Sequence, residues 1–443
     1  MLGTVATCRL ISPLEFPFAI ALMAGFHLEL PTIQNWNCHS CSGCCKRHQI
    51  EITEEERQRI VDQGWMNDDS LPTHEPPVVW FKGPRWKKSW RLGSQSDGAC
   101  VFLDEQGLCR IHAKFGEPTK PLACRVYPYA FHPAGKNVAV SVRFSCPSVV
   151  ENRGKAIVDQ AAELKQMARE VVPDGVDLIP APEISPGSAV DWPDFQRFVS
   201  AIDTTLADES APLLLKLKRT LFWLNLAEQS RFDAISGSRL DEFLKVVTQA
   251  AEQSVIDEGA APPSKTGRVL FRMLVAQYAR NDTSVDLNSG LKNRWRLLST
   301  AVRFALGRGN IPPLQNVFRP IPFATIEQPF GPPSEQAEEM LTRYFRVKTK
   351  GLQFCGRAFF DIGLVEGFRS LVLVYPSILW LARWLAAGDE RTLIETDDVA
   401  QAIAIADHYH AYTPAFGTRA FRRRVRILTQ LGDIEKLCDW YSR

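Results

Sequence analysis

Eight of the eleven cysteines fall between Cys38 and Cys146, a window holding a quarter of the chain. A thiolate is a nucleophile and a soft metal ligand, so such a cluster directs attention to redox, covalent or metal chemistry. The densest element reads Cys38-His-Ser-Cys41-Ser-Gly-Cys44-Cys45. Thiols at i, i+3 and i+6 can converge from a single loop on one centre. Gly43 supplies the positive φ that such a loop tends to need. Backbone N–H groups in a loop of this kind can point at the sulfurs and steady their charge. Adjacent residues project apart, so Cys45 is expected to serve a different centre or to support the first from behind.

The remaining thiols arrive singly. Cys100 and Cys109 bracket a segment in which Gly107 suggests a hairpin returning one beside the other. Cys124 follows Lys120-Pro-Leu-Ala, and Cys146 precedes Pro147, the Cys-Pro pair that also closes a bacterial ferredoxin ligand run. Eight thiols suffice for two four-ligand sites, and His39, His48, His112 and His132 could replace a thiolate. Zinc takes Cys₄ or Cys₃His tetrahedra, usually from two paired CxxC knuckles, whereas here one compact knuckle carries three arms. CxxCxxC with a remote Cys-Pro is closer to a [4Fe–4S] arrangement. It is not the CxxxCxxC spacing of radical enzymes that cleave S-adenosylmethionine. Iron–sulfur, zinc and a purely fold-stabilising metal all stay open. The metal candidates are Cys38, Cys41, Cys44, Cys45, Cys100, Cys109, Cys124 and Cys146, all expected to gather in space while Cys355 and Cys438 stay apart.

Arg125 follows a candidate ligand and could donate toward cluster sulfur, grip a carboxylate, or serve as a local ion-pair partner. Tyr127 and Tyr129 flank Pro128 and either line a pocket or pack a core. Arg125 and Tyr127 are the cofactor-binding candidates, and no catalytic residue stands out. Trp80, Trp86 and Trp90 with Lys82, Arg85, Lys87, Lys88 and Arg91 form an aromatic-basic segment suited to an acidic protein surface, to single-stranded nucleic acid, or to a solvated loop with snorkelling cations. Arg419, Arg422–Arg424 and Arg426 read as a solvated basic face. His408 and His410 lie two apart, too far round a helix to share a metal.

The ordered blocks CxxCxxCC at Cys38–Cys45, CxFLDxxGLCxIH at Cys100–His112, KPLACRxYPY at Lys120–Tyr129 and the late Cys-Pro at Cys146 resemble the CxxCxxCC family of zinc- or iron-chelating proteins, which includes flagellin lysine-N-methylases. The helical part resembles the longer methylase-like members more weakly, around Tyr344–Phe345 and Phe359–Trp384. The resemblance implies an iron–sulfur centre and, for the methylase branch, methyl transfer from S-adenosylmethionine to lysines of a protein substrate. The residues themselves show no glycine-rich strand–turn–helix loop for an adenosine cofactor. A cofactor site would have to lie in a cleft between the cysteine module and the helices. The alternative is a non-catalytic zinc- or iron-chelating or electron-transfer protein whose helical domain binds a partner.

The elements that position these residues read as mainly α: a small irregular cysteine-rich metal-binding module followed by an all-helical domain. Residues 1–35 are an N-terminal segment, in which Met23 could be the true start and 16–26 could pass for an export signal. Residues 36–172 are the cysteine module with an exit helix, 173–193 a Pro-rich linker, and 194–443 the helical domain. Thr53 with Glu56 forms a capping box for a helix ending at Asp62. Val138, Val140 and Val142 alternate as a strand, and Asn152–Val171 is the exit helix. Phe195, Phe198, Val199, Ile202 and Leu206 form an amphipathic stripe. Ser210 is expected to cap the next helix, with Pro212 near its first turn. Ser238 with Asp241 opens another, and further helices are expected at Leu291–Leu306, Ser334–Arg346, Arg357–Leu385, Asp397–Tyr409 and Thr418–Leu431. A Pro-rich loop, Ile311–Pro333, interrupts them.

Apolar residues make up 45%, charged residues 23%, and the net charge is +2, so neither disorder nor a global field for nucleic acid is indicated. No nucleic-acid partner is expected. The apolar run Leu371–Ala387 falls short of the ~20 residues of a membrane span and contains Arg383, so a buried core helix is expected. A cytoplasmic setting keeps thiols reduced, which turns clustered cysteines toward metal rather than disulfides.

Overall fold

The computed structural model describes residues 26–443 except 73, 83–88, 174, 256–260 and 281–289. Cys8, Met23, most of the run 16–26, and Arg85, Trp86, Lys87 and Lys88 of the aromatic-basic segment lie outside the described residues. The fold is mainly helical, with two small three-stranded sheets near the start.

The strands are β1 (His27–Glu29), β2 (Glu51–Ile52), β3 (Val78–Lys82), β4 (Ser89–Leu92), β5 (Tyr129–Ala134) and β6 (Asn137–Val142). One sheet runs β2-β4-β3, and the other runs β1-β6-β5 with β1 parallel to β6. The expected alternation at Val138, Val140 and Val142 understates the burial of β6, since Ala139 and Ser141 are buried as well. Ser141 of β6 meets Val347 and Gln353 of the helical part.

Short helices follow the chain through the cysteine region: α1 (Gly43–Arg47), α2 (Glu54–Asp62), α3 (Arg110–Phe115), α4 (Leu122–Val126), α5 (Pro147–Val150) and α6 (Ala161–Val171). Thr53 Oγ1 accepts from Glu56 N while Glu56 returns to Thr53 N, the capping box read from the sequence. The exit helix starts later than expected, at Ala161, because 152–160 spends its backbone on turns and on pairing with Gln34 and Trp36.

The helical part comprises α7 (Trp192–Ala207), α8 (Leu213–Glu228), α9 (Ser238–Ser254), α10 (Lys265–Ala279), α11 (Gly290–Leu306), α12 (Phe323–Ile326), α13 (Glu335–Lys350), α14 (Leu364–Val372), α15 (Val374–Gly388), α16 (Thr396–Tyr409), α17 (Arg419–Gln430) and α18 (Asp433–Ser442). The Phe195–Leu206 stripe is buried along α7 as expected. Ser210 does not cap α8. Its hydroxyl turns back to Asp208, Pro212 takes the cap position, and the Glu338 carboxylate accepts from Leu213 N. Arg357–Leu385 is not one helix: a 3-10 turn, a left-handed Phe360 and a turn at Ile362 precede α14. By length and composition, Leu364–Gly388 could cross a bilayer, but 94% of its most apolar window is buried inside the protein. Within that core the terminal nitrogens of Arg383 donate to the carbonyls of Ile326, Gln328, Tyr441 and Arg443.

Two hydrophobic cores organise these elements. A small one joins Ile52, Ile60, Trp65, Leu71, Val78, Leu92, Val101, Phe102 and Ile111. The large one runs from β5, β6 and Cys146 through the helices. The Pro-rich stretch 173–193 packs against the large core: Ile184 is buried, and Leu364 N and Val365 N donate to Glu183 O and Ile184 O.

Candidate metal centre

The CxxCxxCC loop emerges from a stretch fastened to the large core, where Trp36 N and Asn37 N donate to Lys155 O and Arg153 O. Positive φ falls on Ser40 (53°) and Ser42 (55°), not on Gly43. Gly43 instead begins α1, and the two left-handed serines set the direction in which Cys44 and Cys45 leave the loop. Gly107, at φ 80°, turns the chain after Cys100 so that Leu103 pairs with Cys109 and Arg110 N reaches Phe102 O at 2.8 Å. That is the expected hairpin-like return. Cys124 sits in α4, and Cys146 is the residue before α5.

All eight clustered cysteines line one cavity of about 410 Å³. None is in a disulfide. Cys355 and Cys438 lie elsewhere, buried in the large core. Cys44 and Cys45 do not project to different places: their sulfurs are 3.9 Å apart. A helical turn at α1 with both side chains drawn to the same cavity overrides the rule that neighbours diverge.

The wall is mostly apolar, and four of its thiols, Cys44, Cys100, Cys124 and Cys146, are shifted toward the neutral form. Cys44 is pushed far up by its hydrogen bond with Cys45 and by burial. Burial pushes Cys100 up to about 12 and raises Cys124 strongly. Cys146 is raised by burial, partly offset by the N–H groups of Val149 and Ser148 and by the Trp36 side chain. A bound cation reverses this, since it stabilises the thiolate outright. Lys120 also lines the cavity, and its charge favours the thiolates of Cys44 and Cys124. It was not singled out in the sequence, although it opens the block KPLACR.

His39, His48 and His112 line the cavity, whereas His132 lies in a separate pocket with Cys355. His39 Nδ1 lies 3.2 Å from Ser148 Oγ. Arg125 lines the cavity, but its guanidinium is ion-paired with Glu170. Tyr127 is also in the wall, with its hydroxyl 3.2 Å from Ser145 Oγ and its pKa raised by burial. Tyr129 packs in the large core and donates to Gln160. Trp90 Nε1 donates to Glu54, and Arg91 pairs with Glu75, so these two members of the aromatic-basic segment hold the small sheet in place. Arg422 of the basic face pairs with Glu366. His408 and His410 do diverge, to His48 and to Tyr278 respectively.

Among the described residues, no three His, Cys, Asp or Glu side chains converge at the spacing of a single bound ion. The donor set itself, eight free thiols with histidines on one wall, suits zinc or iron and suits hard cations poorly.

Residues 37–147 match the CxxCxxCC family model, described as a "Putative zinc- or iron-chelating domain". The matched CxxCxxCC segment ends one residue after Cys146, so all eight thiols of the cavity fall within it. No curated protein and no solved structure matches the chain.

Proposed function

We propose that the CxxCxxCC module binds iron or zinc through cysteine thiolates in the cavity, and that the helical part holds this module and offers a surface to a partner. The carrying observation is the gathering of eight free thiols, from four separate stretches of chain, on one cavity. Structural cores do not need such a concentration, and burial leaves Cys44, Cys100, Cys124 and Cys146 costly to ionise unless a cation is present.

Two forms of the centre have support. A cavity of about 410 Å³ with no single-ion convergence among the described residues favours a polynuclear iron–sulfur centre. The 3.9 Å between Cys44 and Cys45 sulfurs favours a tetrahedral ion. With Zn–S of about 2.3 Å, the edge of such a tetrahedron is about 3.8 Å. Anaerobic purification of the full chain, metal analysis and absorption spectroscopy separate them. Visible sulfur-to-iron absorption with bound iron selects the first, and a colourless zinc protein the second. A chain that holds neither metal after anaerobic reconstitution ends the metal-binding reading.

Methyl transfer from S-adenosylmethionine to protein lysines is the finer reading that the resemblance supplies. Its support in the fold is the cavity itself, with Arg125 and Tyr127 in the wall. Calorimetric titration of metal-loaded protein with S-adenosylmethionine tests it. Absence of heat at millimolar cofactor, with no methyl transferred to offered lysine proteins, leaves a non-catalytic chelator or electron-transfer protein.

A further inference from the structure

We propose that the thiols form two separate metal sites: one from Cys44, Cys45, Cys100, Cys109 and Cys124, and one from Cys38, Cys41 and Cys146 completed by His39. This rests on the metal-binding reading and specifies its ligands.

The first group is tied to the small core. Cys100 and Cys109 pack against it. Cys100 N donates to Cys45 O at 2.8 Å, and the Cys45 sulfur is 3.9 Å from that of Cys44. Cys124 is brought to the same side because Leu122 N, at the start of α4, donates to Glu56 Oε1 of α2 at 2.6 Å. Each charge in this group acts on the others: ionising Cys124 is opposed by Cys100, Cys109 and Cys44.

The second group is tied to the large core, of which Cys146 is a member. A Cβ placed on Gly43 would lie 3.6 Å from Cys41 Sγ and 3.6 Å from Pro147 Cδ, which puts the Cys41 sulfur beside the Cys146–Pro147 turn. Cys38 follows Asn37, whose N–H is bonded to Arg153 O and whose side chain accepts from Lys155 N, just beyond α5. His39 meets Ser148 of α5 through Nδ1, which leaves Nε2 as the ring's coordinating atom. Ligating histidines are commonly oriented in this way by a hydrogen bond at the other nitrogen. Three thiolates and one imidazole make a Cys₃His set, a common structural zinc or iron shell, and since no three of these donors stand at single-ion spacing, they must draw together on binding.

The parting occurs between Cys41 and Cys44, where left-handed Ser42 leads into α1.

The test uses the full chain, purified anaerobically and reconstituted with Zn²⁺. Wild type is expected to hold two ions, removed from the two sites at different chelator concentrations. Cys100→Ser/Cys109→Ser and Cys41→Ser/Cys146→Ser should each halve the bound zinc, and the four-fold variant should bind none. Loss of all zinc in either double variant overturns the partition. Wild type supplies a second measurement that needs no variant: iodoacetamide labelling read by mass spectrometry at sub-stoichiometric Zn²⁺. Protection should appear in two groups, Cys44, Cys45, Cys100, Cys109 and Cys124 apart from Cys38, Cys41 and Cys146. Simultaneous protection of all eight contradicts two sites while leaving metal binding intact. A wild type that binds no metal at all removes both readings.

Discussion

The imidazole rings of His48 and His408 lie with centroids 4.8 Å apart, joining the wall of the thiol cavity to the C-terminal turn of α16. Arg143 stands beside both, 5.7 Å from the Tyr127 ring and 3.7 Å from the Tyr412 ring. Burial and that guanidinium hold His48 well below the usual histidine range and His408 down to about 3. The cavity wall is therefore braced by residues from the far end of the chain, through packed rings as well as through charged groups.

Acid should weaken the protein from near neutrality downward. His132 and His410, like His408, are held down to about 3, chiefly by burial. An unfolded histidine titrates near 6.5. Below that value the unfolded chain binds protons that the folded chain refuses, so stability falls as pH drops from about 6.5 toward 3. Each such histidine adds a slope of about 1.4 kcal/mol per pH unit within that window. His410 is distant from the thiols, bonded through Nδ1 to the Tyr278 hydroxyl at 2.9 Å and stacked on Phe359. His410→Phe should therefore flatten the dependence of melting temperature on pH between 7.5 and 5. Parallel curves for variant and wild type would disprove the assignment.

Cys44→Ser should release zinc to a competing chelator at lower concentration than wild type does, while Cys355→Ser should not change the release. Cys44 is one of a sulfur pair on the cavity, and Cys355 is a buried thiol of the large core. Losing the first removes a ligand whose binding free energy is coupled to folding. Losing the second removes packing only. Equal retention in wild type and Cys44→Ser would show that Cys44 is not a ligand.

What the sequence made legible were features carried by local chemistry. The Thr53–Glu56 capping box, the Phe195–Leu206 stripe and the Gly107 return appear as read, and the helices expected from Ser334 and Thr418 begin one residue later, with those two residues as their caps. Helix α10 was missed because Ser264 closes its cap on Gly267, where a capping box would show an acid. That glycine is required by packing: a Cβ there would meet Asp433 Oδ2 at 2.1 Å. Strand β1 gave no signal because it pairs with β6 across more than a hundred residues. In the site, the eight thiols were visible from their density. The approach of the Cys44 and Cys45 sulfurs and the left-handed Ser40 and Ser42 were not, because they depend on backbone turns and on how each loop is bonded to the cores.

Gly351→Ala should destabilise the seam between β6 and α13. The added Cβ would lie 2.2 Å from Ser141 Cβ, a contact that side-chain rotation cannot relieve. Overpacking of this kind costs about 1–3 kcal/mol. Chemical denaturation should report it as a lower midpoint. An unchanged midpoint would mean that the sheet and helix separate more easily than their close approach implies.

Lys348 and Asp407 form the polar centre of that seam, with Nζ and Oδ1 2.5 Å apart and both side chains almost wholly buried. Lys348 Nζ also donates to Val142 O at 3.0 Å and Gln353 Oε1 at 2.6 Å, while Asp407 Oδ2 accepts from Ser145 N at 3.0 Å. Ser145 is one residue from Cys146, so the pair fixes the backbone that carries a candidate ligand. Burial lowers the Lys348 pKa, and the neighbouring carboxylate opposes that shift. Lys348→Met leaves a carboxylate buried without its cation and should cost about 3–5 kcal/mol. Lys348→Met/Asp407→Leu removes both charges and should recover much of the loss, since an apolar pair of similar volume often matches a buried ion pair. Denaturation of both variants, with Zn²⁺ retention measured alongside, tests the arrangement. If the double variant is no more stable than Lys348→Met, the cost comes from lost packing rather than from a stranded charge, and the seam is held by its apolar contacts.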